Sequence, residues 1–174
     1  MINHQVLNFK KWNKFYYTFF LIIFSILVNQ YYGYIGILPL DSFLIFNSGY
    51  DVLNGYFPFK DYWTIKGVLL DLLQGFFFKV FGLSWFSYVL HASFFNCIIT
   101  LATFFTLIRF NLNINLSFFY SICVAVLAYP TAGTPFSDHH ASIISMLCLY
   151  SFALGLKTNK NIYWFILPIL MVLA

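Results

Sequence analysis

The chain has 174 residues, of which 61% are hydrophobic and only 8% carry a charged side chain. An average soluble domain has charge on roughly 25% of its residues, so this composition excludes an ordinary soluble domain and favours a protein that crosses the membrane several times. The net charge of +4 comes from basic residues spread along the chain, which excludes a nucleic-acid-binding patch.

The first apolar run, residues 15–38, follows Lys10, Lys11 and Lys14. A basic flank before an apolar run is typical of a signal peptide, but no small-residue cleavage site follows this one. At ~1.5 Å per residue the run is long enough to cross a hydrocarbon core of ~30 Å. It therefore predicts a signal-anchor helix.

A more polar segment, residues 39–83, follows the first span. Its first part predicts a helix over 42–54, with Asp41 as the N-cap and Gly55 at the end. Its last part predicts a second helix over 68–82. Polar residues such as Asp71 interrupt that helix, which is too short to span comfortably, so we expect it to be interfacial or re-entrant.

Four more apolar runs predict the remaining spans, over residues 84–108, 116–132, 137–156 and 162–174. Asn115 is the expected N-cap of the third span. Because the last run is still apolar at its end, we expect the chain to be the N-terminal fragment of a larger membrane enzyme. The predicted fold is an all-α, polytopic transmembrane helix bundle in a single domain of residues 1–174.

The distribution of basic residues predicts how the chain is oriented in the membrane. The positive-inside rule puts the N-terminus in the cytoplasm, because most basic residues then lie inside: Lys10, Lys11, Lys14, Arg109, Lys157 and Lys160. All acidic residues are aspartates, and all then lie outside: Asp41, Asp51, Asp61, Asp71 and Asp138. Acids contribute little to topology, so their gathering on one face requires another explanation.

Two residues of the first outer segment suggest chemistry. Asp41 either caps a helix or, as a carboxylate at the lipid–water boundary, takes a proton from an acceptor hydroxyl. Lys66 is either a solvated loop lysine or a point-charge ligand for a lipid phosphate. Both readings stay open at this point.

The second outer segment is TPFSDHHAS, residues 134–142. A span starting at Ser137 places Asp138, His139 and His140 in the first turn, where Ser137 or Asp138 would cap the helix. Asp138, one histidine such as His139, and a first-loop carboxylate such as Asp41 could instead form a divalent-metal or substrate site. Adjacent histidines point about 100° apart on a helix, so both do not easily face one site.

His91 lies within the second predicted span. Its expected role is a hydrogen bond between helices rather than chemistry. The cysteines, Cys97, Cys123 and Cys148, all fall inside apolar runs and have no metal-ligand spacing, so they predict buried thiols.

The acid after the first span and the stretch SGYDVLNGYFPFKDYWTIKGVLLDLLQGFFFKVFG resemble the first periplasmic loop of the polyprenyl-phosphate-dependent GT-C glycosyltransferases. Protein-mannosyltransferase-like and aminoarabinose-transferase-like enzymes belong to that family. GTPFSDHHASIISMLCLYSFAL is similar to the family's second outer loop, which commonly carries an aspartate. The resemblance covers about residues 15–156.

The resemblance implies a membrane-embedded hexosyl- or pentosyltransferase whose active face is periplasmic or extracellular. Its partners would be a polyprenyl-phosphate-linked sugar and membrane lipid, and a divalent metal is the one cofactor to consider. Asp41 matches the catalytic base, Lys66 the lysine near the lipid phosphate and Asp138 the second-loop acid. Asp61 and His139 complete the expected substrate-binding set.

Two other functions are compatible with the composition. A transporter or channel subunit would use the outer acids to attract cations or polar solutes, although such proteins usually place ionisable residues near the bilayer midplane. A membrane acyltransferase would use His139 or His140 as the base.

Overall fold

The computed structural model describes the backbone of residues 2–36, 39–129 and 132–174, and the side chains of residues 14–36, 42–129 and 132–174. Within these ranges the chain forms seven α-helices and no β-strand. They are α1 (Ile2–Ile35), α2 (Pro39–Leu53), α3 (Val68–Phe81), α4 (Trp85–Arg109), α5 (Ile114–Leu127), α6 (Ser137–Thr158) and α7 (Asn161–Leu173). The predicted all-α class is confirmed.

Three of these helices are long and apolar enough to cross a membrane. They are Lys14–Ile35 within α1, Trp85–Arg109 and Ser137–Thr158. Each coincides with a predicted span. Large apolar side chains are exposed on their outer surfaces, for example Leu27 and Leu149, each 62% exposed. Such exposure is unfavourable in water and favourable in lipid, so the helices are those of a membrane protein.

The other two apolar helices are shorter than a bilayer is thick. α5 ends at Leu127 rather than at residue 132, and its 14 residues rise by about 21 Å. Its N-cap is Asn113, whose side chain accepts a hydrogen bond from the Asn115 backbone N–H at 2.8 Å. The predicted cap at Asn115 is therefore wrong by two residues. α7 has 13 residues and also falls short of the bilayer thickness.

The starts of the two helices that carry the candidate acids differ from the prediction, α2 in its first residue and α6 in its capping. α2 begins at Pro39, a favoured residue for a first helical position, so Asp41 lies within the first turn and is not the N-cap. α6 begins at Ser137 as predicted, but Phe136 holds the cap position and no side chain caps the helix. Asp138 still lies in the first turn, where a carboxylate complements the helix dipole.

α4 is the central helix and contacts α1, α3, α5 and α6. Buried polar side chains hold it to its neighbours. Asn96 Nδ2 donates to the Ala125 carbonyl of α5 at 2.8 Å, and the Thr103 and Tyr150 hydroxyls are 2.9 Å apart between α4 and α6. Helices in lipid gain little from apolar burial, so such interhelical bonds contribute to their association.

α2 and α3 pack against each other, and both contact the start of α4. We refer to α2, α3 and the connection between them as the α2–α3 lobe. Ile45, Leu70 and Phe78 form its core together with Tyr88 of α4, and all four are buried. The predicted helix over residues 68–82 is confirmed as α3, which lies between Gly67 and Gly82, both with positive φ.

Candidate functional site

The start of α2 meets the segment that precedes α6. The hydroxyl oxygens of Ser42 and Thr134 are 3.1 Å apart, and both side chains are buried. The Tyr88 hydroxyl donates to the Ser42 carbonyl from α4. These contacts fix the helical turn that carries Asp41, whose own side chain lies outside the described residues.

Residues 132–136, the segment before α6, are also anchored on α1. Asn29 Nδ2 donates to the Gly133 carbonyl at 2.8 Å. Gly133 has φ +61°. A Cβ built there would lie 2.3 Å from the backbone nitrogen of Gly33 and 2.5 Å from the backbone carbonyl oxygen of Asn29. Only glycine permits so close an approach of two backbones. The segment thus joins α1 to α2 directly before Asp138.

Lys66 reaches this segment from the α2–α3 lobe. Its Nζ lies 4.6 Å from the centroid of the Phe136 ring, a cation–π contact. Its backbone N–H donates to the Thr64 hydroxyl at 3.3 Å. Gly67, with φ +95°, then turns the chain into α3. The lysine is therefore positioned by local contacts on both sides.

Lys66 and Asp138 line the same cavity of about 300 Å³, together with His140. The cavity lies between the start of α3 and the start of α6. Its walls are apolar and include Leu69, Leu70, Leu73, Phe95 and Ile144. Asp138 is exposed and accepts a hydrogen bond from the Ser137 hydroxyl at 3.3 Å. A cavity with a cation, an acid and apolar walls can hold an amphiphile that has a polar head.

Asp61 and His139 lie away from that cavity lining. Asp61 accepts a hydrogen bond from the Phe57 N–H at 2.8 Å and lies 4.0 Å from Lys60 Nζ. It therefore closes a turn within the connection between α2 and α3. His139 lines a different cavity of about 470 Å³, whose other lining residues include Ile99, Val124 and Met146.

The neighbouring histidines diverge, as the helical geometry predicts. His140 is buried, and its Nδ1 lies 2.9 Å from the Phe136 carbonyl, so Nδ1 carries the donating proton. Its ring centroid is 4.9 Å from that of His91. His91 Nδ1 lies 2.9 Å from Gln74 Oε1, which joins α4 to α3 and confirms the expected interhelical bond.

No group of three or more His, Cys, Asp or Glu side chains gathers in a metal-binding arrangement within the described part of the chain. The proposed set of Asp41, Asp138 and His139 includes one side chain outside that part. Asp138 and His139 themselves line different cavities.

Asp71 is the functional candidate that the sequence prediction missed. Its side chain is fully buried in α3. Burial raises its pKa, hydrogen bonds from Thr64, Tyr62 and Ser48 partly lower it, and the charge of Asp51 raises it again. The sequence contains one signal for this burial: Asp71 and Gln74 are three residues apart in a largely apolar helix, so both lie on one face.

No family model matches the chain, and no curated protein and no solved structure matches it.

Proposed function

We propose that this protein is a GT-C-type membrane glycosyltransferase, which moves a hexose or pentose from a polyprenyl-phosphate donor to an acceptor hydroxyl on the outer face of the membrane. The observation that carries the proposal is the shared cavity of Lys66 and Asp138. Those residues come from the two separate segments that resemble the family's outer loops.

The chemistry of the cavity fits such a donor. Lysine is a common point-charge ligand for phosphate. The leucine and phenylalanine walls suit the first isoprene units, and the polar end suits the sugar and phosphate. Asp138 would hydrogen-bond the sugar hydroxyls. A donor of this kind keeps its sugar–phosphate at headgroup depth, which gives the acids of the outer face a substrate to bind.

Asp41 is the proposed base. Its carboxylate would take the proton from the acceptor hydroxyl while the acceptor oxygen bonds to the anomeric carbon. The bond between that carbon and the phosphate oxygen breaks, and its electron pair leaves on polyprenyl phosphate. The positive charge of Lys66 would stabilise the negative charge that develops there. The contact between Ser42 and Thr134 supports this arrangement, because it holds the turn of Asp41 near the segment before Asp138.

The proposal includes a topology of five spans, with the N-terminus in the cytoplasm and the α2–α3 lobe outside. The distribution of basic residues supports it. α5 would then cross the membrane only with help from flanking polar residues or local thinning, because it is short.

The test is release of polyprenyl phosphate by the full-length protein in liposomes that contain a polyprenyl-phosphate-linked hexose or pentose and an alcohol as the acceptor. Release by the natural protein is expected, with a loss of at least a hundredfold in Asp41→Asn. Asp61→Asn is the matched control, because it removes an exposed acid whose bonds to the described residues stay within its own turn. Unchanged turnover in Asp41→Asn would overturn the mechanism.

A second candidate, a transporter or channel subunit, is favoured by one observation. His91 is fully buried within a candidate span, and its Nε2 has no hydrogen-bond partner in the described structure. Ionisable residues at such positions often mark a transport path. Solute flux into proteoliposomes that is lost in His91→Leu would favour this function over sugar transfer.

A further inference from the structure

The connection between α2 and α3, residues 54–67, turns polar side chains inward and large apolar side chains outward. Thr64 is buried, and the Tyr62 hydroxyl donates to the buried Asp71 carboxylate at 3.1 Å. Trp63 and Ile65, which alternate with them, are 79% and 70% exposed. Five large aromatic or aliphatic side chains are exposed along the connection: Tyr56, Phe57, Phe59, Trp63 and Ile65. This polarity is unfavourable in water and favourable against lipid.

The backbone of the connection is hydrogen-bonded within itself. The Phe59 N–H donates to the Tyr62 carbonyl at 2.8 Å, and the Asp61 N–H donates to the Phe57 carbonyl at 2.9 Å. The Phe57 N–H donates to the Asp61 carboxylate at 2.8 Å. A backbone group that leaves water without a partner costs free energy, so these bonds make contact with lipid less costly for a non-helical segment.

The end of the connection lies level with the start of α6. α6 has 22 residues and rises by about 33 Å, hardly more than the ~30 Å of a hydrocarbon core. A membrane-crossing α6 therefore has its first turn at the boundary of that core. Lys66 Nζ lies 4.6 Å from the ring centroid of Phe136, the residue directly before α6. The connection thus reaches the boundary between lipid headgroups and acyl chains.

α3 and α4 run in opposite directions. Gln74 Oε1 lies 2.9 Å from His91 Nδ1, whereas the Phe78 ring, farther along α3, lies 6.5 Å from the ring of Tyr88, which is nearer the start of α4. Because α4 enters the membrane from its start, the start of α3 lies closer to the bilayer centre than its end. The α2–α3 connection is therefore the deeper end of α3, and Leu83, between α3 and α4, is at the shallower end.

We propose that the α2–α3 connection inserts into the bilayer interface, with Phe59, Trp63 and Ile65 against the lipid acyl chains and the Lys60 ammonium on a lipid phosphate. Aromatic side chains are favoured at this depth. Lys60 is exposed, and the long side chain of a lysine can reach the headgroups from there.

Insertion continues the lipid-facing surface of the long helices onto the α2–α3 lobe. It would also keep Lys66, the residue after Ile65, at the depth of lipid phosphates. The inserted connection would contact lipid whatever molecule the cavity of Lys66 and Asp138 binds, so the inference does not depend on the proposed function.

Tryptophan quenching tests the insertion on the full-length protein in phosphatidylcholine vesicles. The fluorescence of the natural protein minus that of Trp63→Phe gives the signal of Trp63. We expect phospholipids brominated near the top of the acyl chain to quench this signal at least twofold, and iodide on both sides of the membrane to leave it nearly unchanged. Ile65→Trp, made in Trp63→Phe, repeats the measurement at a second inserted position and is expected to give the same result.

Leu83→Trp, also made in Trp63→Phe, is the matched control. Leu83 is likewise apolar and is 48% exposed, but it lies at the shallower end of α3. We expect iodide to quench this tryptophan and brominated lipid to affect it less than Trp63. The proposal is contradicted if iodide quenches Trp63 and brominated lipid does not, or if the tryptophans at positions 63 and 83 respond alike to both quenchers.

Discussion

Ser42 and Thr134, 92 residues apart in the chain, have their hydroxyl oxygens 3.1 Å apart in the buried interior. This contact joins the first turn of α2 to the segment that leads into α6. It brings the chain neighbourhoods of Asp41 and Asp138 to one end of the helix bundle, and it supports the proposal that both act on one substrate.

The contact between the Ser42 and Thr134 hydroxyls predicts that substitutions of these two residues have non-additive effects on stability. Ser42→Ala or Thr134→Val alone leaves a buried hydroxyl without its partner and is expected to lower the free energy of unfolding by about 1–3 kcal/mol. The double variant is expected to lose less than the sum, because neither hydroxyl then remains. A double-mutant cycle on thermal unfolding in detergent measures the difference. Simple additivity would mean that the contact does not form.

Gly133→Ala is expected to disrupt the junction with α1. The new Cβ would meet the Gly33 nitrogen at 2.3 Å, so the segment must move, and we expect a loss of more than about 3 kcal/mol. Gly55→Ala is the matched control. Gly55 also has positive φ, +91°, but has no atom within 4 Å of the built Cβ, so it bears backbone strain alone. Equal losses in both variants would contradict the close contact.

Asp71 predicts a pH dependence of stability. Its folded-state pKa is raised, chiefly by burial, so folding favours the protonated acid. The stabilisation is fully present below the ordinary pKa of about 4 and is lost as pH rises through the folded-state value. Melting temperature should therefore fall as pH rises above 4, and Asp71→Asn should flatten that slope. A slope unchanged in Asp71→Asn would assign it to another group.

Substitution of Lys66 is expected to weaken substrate binding rather than to affect the fold. Lys66→Gln removes a charged donor from the cavity, and we expect donor binding to weaken about tenfold to a hundredfold, as for other hydrogen bonds to charged groups. Lys60→Gln is the control, because Lys60 lies beside Asp61 in the turn. Binding of polyprenyl phosphate by isothermal calorimetry separates the two variants. Equal binding would remove Lys66 from the site.

Periodicity and length were enough to predict the helices but not all their ends. α3 and the three long helices follow from apolar runs between polar or glycine residues. The start of α2 was wrong by three residues, because Asp41 is a good capping residue and Pro39 is a good first helical residue. Local preference alone does not decide between two valid starts.

Only part of the expected grouping of candidate site residues is present in the structure. Lys66 and Asp138 both follow from loops expected on the same face, and they share a cavity. Asp61, from the same loop as Lys66, instead completes a turn, since its carboxylate meets the Phe57 N–H. The burial of Asp71 depends on how α2 lies on α3, and single-chain patterns do not contain that packing angle.

Photo-crosslinking with a diazirine-bearing polyprenyl phosphate shows whether the lipid-linked donor enters the cavity of Lys66 and Asp138. We expect labelling of the cavity walls at Leu73, Phe95 or Ile144, with loss of the label when unmodified polyprenyl phosphate is added in excess. Labelling confined to lipid-facing residues such as Leu27 and Leu149, unaffected by the competitor, would contradict it.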